Sequence, residues 1–161
     1  MVAILRLLHI VFGGFWAGAA MLMGWLVVPT ARSVGPASVP FMQALLKRRL
    51  PEILVGSGVV NVLAGIWLWA LRPPSMARWQ GYALAIGALS AIVALLIGVL
   101  LQRPTGKKVQ NLGGAIAAGG GPPSQEQATE MAGLQTRMAT YGNILAFLFA
   151  IALAGMALSG A

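Results

Sequence analysis

The chain predicts an all-α membrane protein: a bundle of four transmembrane helices with a short interfacial amphipathic helix in the first loop. Three observations predict it. All fourteen charged residues lie outside four uncharged stretches, 7–31, 53–71, 79–102 and 138–161. Those stretches are 25, 19, 24 and 24 residues long, and a hydrocarbon core of about 30 Å takes roughly 20 residues of helix. The composition is 58% hydrophobic and 9% charged, against roughly 25% charged in soluble domains. Backbone groups in lipid must be satisfied internally, which leaves helices or a closed barrel. The run 83–101 lacks the alternation of a barrel strand, so helices are expected.

The 161 residues make one transmembrane domain, with spans at about 4–28, 53–71, 79–101 and 138–158. In span one, Arg6 precedes an apolar run with small residues at 17–20, which resembles a secretory signal. The apolar character continues to Val28, past the 7–15 residues of a signal core, so the span is read as retained. Pro29 is expected to end it. Loop one, 29–52, holds the short helix: Ser38 is placed to cap it, Pro40 suits its first turn, and Phe41, Leu45, Leu46 and Leu50 share one side. Lys47, Arg48 and Arg49 then lie toward headgroups.

Span two stops at Arg72-Pro73-Pro74, and span three is expected to stop at Gln102-Arg103-Pro104. Loop three, 102–137, carries Lys107, Lys108 and a small-residue tract at 113–121, which reads as a flexible linker. The tract lacks the Lys-Ser/Thr of a phosphate loop. Ser124 and Gln127 form a capping-box signature that starts the fourth helix near Gln125.

Loops one and three hold eight Lys and Arg; the other side holds Arg6, Arg72 and Arg78. The positive-inside rule therefore puts both loops in the cytoplasm and both termini outside. Trp67, Trp69 and Trp79 then gather at the outer interface, where amphipathic rings prefer to sit. The net charge of +8 follows from the same flanking cations and their attraction to anionic lipid headgroups, and does not imply nucleic acid. With no cysteine, disulfides, thiolate metal sites and thiol nucleophiles are excluded.

Small residues recur at helix-contact spacing: Gly14 and Gly18 in span one, Gly87 and Ala91 in span three, and Gly142, Ala146, Ala150 and Ala154 in span four. Such stripes let backbones approach closely. They serve packing within one bundle or contact with another chain. Asn61, midway along span two, is expected to clamp a helix contact by hydrogen bonding.

Chemical groups are few. The acids are Glu52, Glu126 and Glu130, all at or beyond the inner interface, and there is no Asp. Hydrolytic and metal-assisted catalysis of the usual kinds lacks its parts. His9 is the lone histidine, near the outer end of span one, and intramembrane ionisable residues are functional candidates. It could ligate copper or haem, relay a proton, or bond a backbone carbonyl. Phe12, Gly13 and Trp16 share its face.

Leu8-His9, Phe15-Trp16-Ala17-Gly18 and Pro29 resemble the Leu-His…Trp-x-Gly…Pro opening span of bacterial CopD-like membrane proteins. Met42 through Lys47-Arg48-Arg49-Leu50, and on to Gly65, is similar to the second segment of HemJ-type proteins. The resemblance covers about residues 5–70. It implies a four-helix bacterial membrane scaffold, with copper handling in one family and the last oxidation of protoporphyrin synthesis in the other. By position, it implies a functional role for His9 alone, with haem b or copper as the group bound. HemJ-like proteins carry a further basic residue in the third span, and 79–102 has none.

The expectation is a non-catalytic multi-pass protein of a bacterial inner membrane. It would be a homo-oligomer or an accessory subunit of a larger respiratory or photosynthetic complex. The alternatives are a haem or copper carrier using His9, and a porphyrin or quinone oxidoreductase.

Overall fold

A computed structural model describes residues 1–160, apart from the side chains of Pro36 and Val39. The terminal Ala161 of the fourth uncharged stretch lies outside the described residues. The described residues contain five long or short α-helices and no strand: α1 (Val2–Val34), α2 (Val39–Lys47), α3 (Leu50–Leu71), α4 (Trp79–Ala118) and α5 (Gln125–Ser159). Four of these, all but α2, are long and apolar enough to cross a membrane. The chain is thus a multi-pass membrane protein built on four apolar helices.

Two of the helices run further than their prolines predict. Pro29 does not end α1, which continues to Val34 through a π turn at Met23–Val27, where the Val28 N–H reaches the Met23 carbonyl. In a normal turn the proline ring would press on the carbonyl four residues back, and the wider turn accommodates it. The same device recurs at Gly98–Gln102, two residues before Pro104, with the Arg103 N–H on the Gly98 carbonyl. As a result α4 carries on to Ala118. The expected flexible linker is therefore largely helical: 113–118 closes α4, and only the short connection 119–124 leads into α5. Pro73 and Pro74 do break the chain, because two successive prolines remove two donors and restrict Arg72 as well.

α5 begins at Gln125 with the capping box in place. The Gln127 N–H donates to Ser124 Oγ at 3.2 Å, and the Ser124 N–H donates to Gln127 Oε1 at 3.0 Å. Ser38 stands at the N-cap of α2 but does not cap it. Its hydroxyl turns back instead, 2.8 Å from the Ala31 carbonyl and 2.7 Å from that of Gly35. Between α2 and α3, Arg49 is the one described non-glycine residue with positive φ, at 57°. That left-handed residue turns α2 sharply into α3, a place glycine usually fills.

α3 rests on α1, α1 on α5, and α5 on α4, while α3 touches α4 more lightly. Each of the three main contacts is antiparallel. His9, Gly13 and Trp16 of α1 meet Gly65, Asn61 and Gly58 of α3. Trp16 packs edge-on against Phe149 of α5, with centroids 4.6 Å apart, and Gly24 faces Gly142. Gly87 of α4 lies against Gly155 of α5, and the same pairing continues through Gly106–Met138 to Gly113–Met131. Trp16, Ala17, Ala94, Leu145 and Phe149 form the buried core where α1, α4 and α5 meet.

The 35 residues of α5 measure about 52 Å, well beyond a hydrocarbon core of about 30 Å. Its first third and the last 16 residues of α4 therefore project as a two-helix hairpin on the side of α2. Arg32, near the end of α1, donates from its guanidinium to the Gln135 carbonyl on that hairpin.

Candidate functional site

His9 faces α3. Its Nδ1 lies 2.9 Å from the Asn61 carbonyl. A carbonyl oxygen can only accept, so Nδ1 carries the proton and neutral His9 keeps its lone pair on Nε2. The ring fits where it does because Gly65 has no side chain: a Cβ there would stand 2.9 Å from His9 Cε1. One turn inward, Asn61 is 3% exposed. Its Oδ1 points at Gly13, where a Cβ would lie only 2.4 Å away, and it has no hydrogen-bond partner. Asn61 therefore fills a notch by shape, while its backbone carbonyl rather than its amide makes the polar contact. The site is small: one imidazole held by one carbonyl, beside an unpartnered amide oxygen. The described residues hold no group of three or more His, Cys, Asp or Glu able to enclose a metal.

The packing residues divide sharply by position. Gly14 and Gly18 face outward, with nothing within 4 Å of where a Cβ would stand, and α1 meets its neighbours through Gly13, Ala17 and Gly24 instead. Gly87 and Ala91 are buried, and Gly87 is pressed against the Ala152 carbonyl at 3.0 Å from a notional Cβ. In α5 the four-residue repeat rotates out of the core: Ala146 is fully buried, Gly142 and Ala150 are half-buried, and Ala154 is exposed. The tightest contact in α5, Gly155 on Ala83 and Gly87, lies off that repeat. A repeat of four drifts around a helix of 3.6 residues per turn, so it cannot hold one face for long.

Lys47, Arg48 and Arg49 are exposed at the end of α2, on the same side as the hairpin cations Arg103, Lys107, Lys108 and Arg137. Trp67 and Trp79 are more than half exposed and Trp69 is half-buried, around the opposite α3–α4 connection. The hairpin, read from sequence as a loop, bears two shallow depressions. One is lined by Gln125, Glu126, Thr129 and Glu130, the other by Lys108, Glu130, Gly133, Leu134 and Arg137. The sign of the hairpin was present in sequence as the alternation of Val109, Leu112 and Ile116 with polar residues.

No protein-family model, no curated protein and no solved structure matches the chain.

Proposed function

We propose that the protein is a non-catalytic component of a bacterial cytoplasmic membrane that works through helix contact. It acts as a homo-oligomer or as an accessory subunit of a larger membrane assembly of respiratory or photosynthetic type. Both termini lie outside and the hairpin inside, as the eight-to-three split of Lys and Arg favours. The observation that carries the reading is the hairpin. Across residues 103–137 only Leu134 is buried, while Val109, Leu112, Ile116 and Met131 are half-buried. Two helices alone bury too little to justify so long a projection, and a partner would complete it.

The test is extraction from the native membrane in a mild detergent, followed by native mass spectrometry of everything that co-purifies. A complex with itself or with other membrane polypeptides is expected; a lone monomer overturns the reading. Because the chain has no cysteine, a single Gly120→Cys substitution reports sidedness. An impermeant maleimide should miss it in intact cells and label it in inverted vesicles.

A second reading rests on His9. A histidine whose Nδ1–H is fixed on a carbonyl presents Nε2 as a ready ligand, the arrangement common to metal- and haem-binding histidines. Haem b or copper would then bind there, with a second ligand from another chain. A Soret band or stoichiometric copper in the purified protein, lost in His9→Ala, supports it; their absence from protein purified out of haem- and copper-replete cells removes it.

A further inference from the structure

We infer that the base of the α4–α5 hairpin clamps the phosphate of an anionic phospholipid between Lys108 and Arg137, and that this lipid helps hold the two helices together beyond the membrane. The inference rests on the inward placement of the hairpin proposed above, and not on the oligomeric state. Depth sorts the charges. Counted inward from Leu71, the roughly 20 residues that cross a hydrocarbon core bring α3 to Pro51. The helix contacts carry that level, within about a turn, to Gly24 of α1 and Gly142 of α5, which lie against each other. The Gly87–Gly155 contact then carries it to about Leu100 of α4.

Arg103, Lys107, Lys108 and Arg137 all stand within about 12 Å beyond this level, and Lys47, Arg48 and Arg49 immediately precede α3. Glu130 and Glu126 stand farther out, about 18 and 24 Å beyond it. Headgroups occupy roughly 5–7 Å on each side of the core, and long Lys and Arg stems turn their charges back toward them. Seven exposed cations therefore address the headgroup layer, with Glu52 the one acid beside them. None of the seven side chains has an ion pair or hydrogen bond among the described residues. Their counter-charge must come from outside the chain.

One pair of these cations shares a site. Lys108 of α4 and Arg137 of α5 line the same shallow depression, together with Glu130, Gly133 and Leu134. Buried Leu134 gives it an apolar floor, and Gly133 leaves it open, with nothing within 4 Å of a notional Cβ. The two cations sit on different helices within about a turn of one depth, so they repel each other across the hairpin. Glu130 does not neutralise them: it stands about 10 Å farther from the membrane than Arg137 and pairs with neither. A phosphate between them does, with the planar fork of Arg on two oxygens and Lys as a point charge on the third. The hairpin is thinly packed there, glycine against methionine at Gly106–Met138 and Gly113–Met131, so relief of that repulsion bears directly on its order. Continuity toward the membrane selects a lipid phosphate over a soluble one. Ile144 and Ile151, both exposed, follow Arg137 at steps of seven, which keeps them on one flank of α5 as an apolar path for an acyl chain.

The test is hydrogen exchange on the full chain in nanodiscs of phosphatidylcholine, with and without phosphatidylglycerol. Amide exchange across 109–118 and 127–134 should slow about tenfold when phosphatidylglycerol is present, as for a ligand at about ten times its Kd that must leave before the hairpin opens. Lys108→Gln and Arg137→Gln should each remove most of that slowing. Lys107→Gln, which deletes the same charge one residue away and outside the depression, should retain it. Unchanged exchange at buried Leu145 shows that each variant is folded. Equal exchange in the two kinds of disc overturns the inference. So does equal loss in Lys107→Gln and Lys108→Gln, which would mean diffuse attraction rather than a clamp. Inorganic phosphate added to phosphatidylcholine discs should not slow exchange; if it does so as well as phosphatidylglycerol, the lipid assignment falls. The measurement is made on the isolated chain, so its outcome is separate from what co-purifies, and the maleimide labelling above separately checks the inward placement.

Discussion

The closest approach of one long helix backbone to another at a described glycine gives the sharpest stability test. At Gly155 a Cβ would lie 2.5 Å from the Ala83 carbonyl oxygen, 2.9 Å from Gly87 Cα and 3.0 Å from Gly87 N. Ordinary van der Waals contact begins near 3.4 Å, so Gly155→Ala forces α4 and α5 apart by roughly an ångström. The obstacles are backbone atoms, which no rotamer change can move aside. Overpacking of this kind costs about 1–3 kcal/mol. Gly14→Ala is the matched control, because nothing lies within 4 Å of its notional Cβ. Both changes replace glycine by alanine inside a helix and share the same propensity gain of up to about 1 kcal/mol. Their difference therefore isolates the α4–α5 contact and should be roughly 1–3 kcal/mol. Equilibrium unfolding in mixed micelles with rising dodecyl sulfate, followed by circular dichroism, measures it. A difference below about 0.5 kcal/mol would refute the claim that glycine sets the spacing of α4 and α5.

Three further outcomes follow from local geometry. Arg49→Gly should raise stability by about 1 kcal/mol in the same titration, since φ of 57° costs a side-chain-bearing residue about that much. A loss would show that the Arg49 side chain matters more than its backbone. Ser124→Ala should cost about 1 kcal/mol and speed amide exchange at Gln127, whose N–H loses its acceptor, while leaving exchange at Leu145 unchanged. His9→Ala should cost about 1–2 kcal/mol through one hydrogen bond and lost packing on α3; no change would mean that the ring does not brace the α1–α3 contact.

The fold was legible where one residue type forces one outcome. Charge confined to the gaps marks four apolar helices, and the Ser124–Gln127 pair marks the start of α5 at the residue where it begins. It was not legible where a penalty has two remedies. A single proline either ends a helix or is taken in by a wider turn, and Pro29 and Pro104 are both taken in. In each case another helix continues to a partner: Arg32 reaches the hairpin, and 103–118 lies along α5. Tertiary contact beyond the proline selects the π turn, and a local rule cannot see that contact. The same blindness turned a hairpin into a loop, because the polar residues of 103–118 hide a half-buried face.

The site shows a subtler limit. Small residues spaced by four occur in two phases on α1, at Gly13–Ala17 and at Gly14–Gly18, and spacing alone cannot choose between them. What does choose is the partner helix read backward. His9 falls on Gly65, Asn61 on Gly13 and Trp16 on Gly58, so each large side chain meets a glycine, and the large member alternates between the two helices. No other phase of α1 offers both a large residue for Gly58 and Gly65 and a glycine for Asn61. Complementarity across an antiparallel pair is thus far more specific than a stripe on one helix. His9 is part of that matching, and this is why its orientation is fixed: Gly65 clears space for the ring, and Nδ1–H closes on the Asn61 carbonyl.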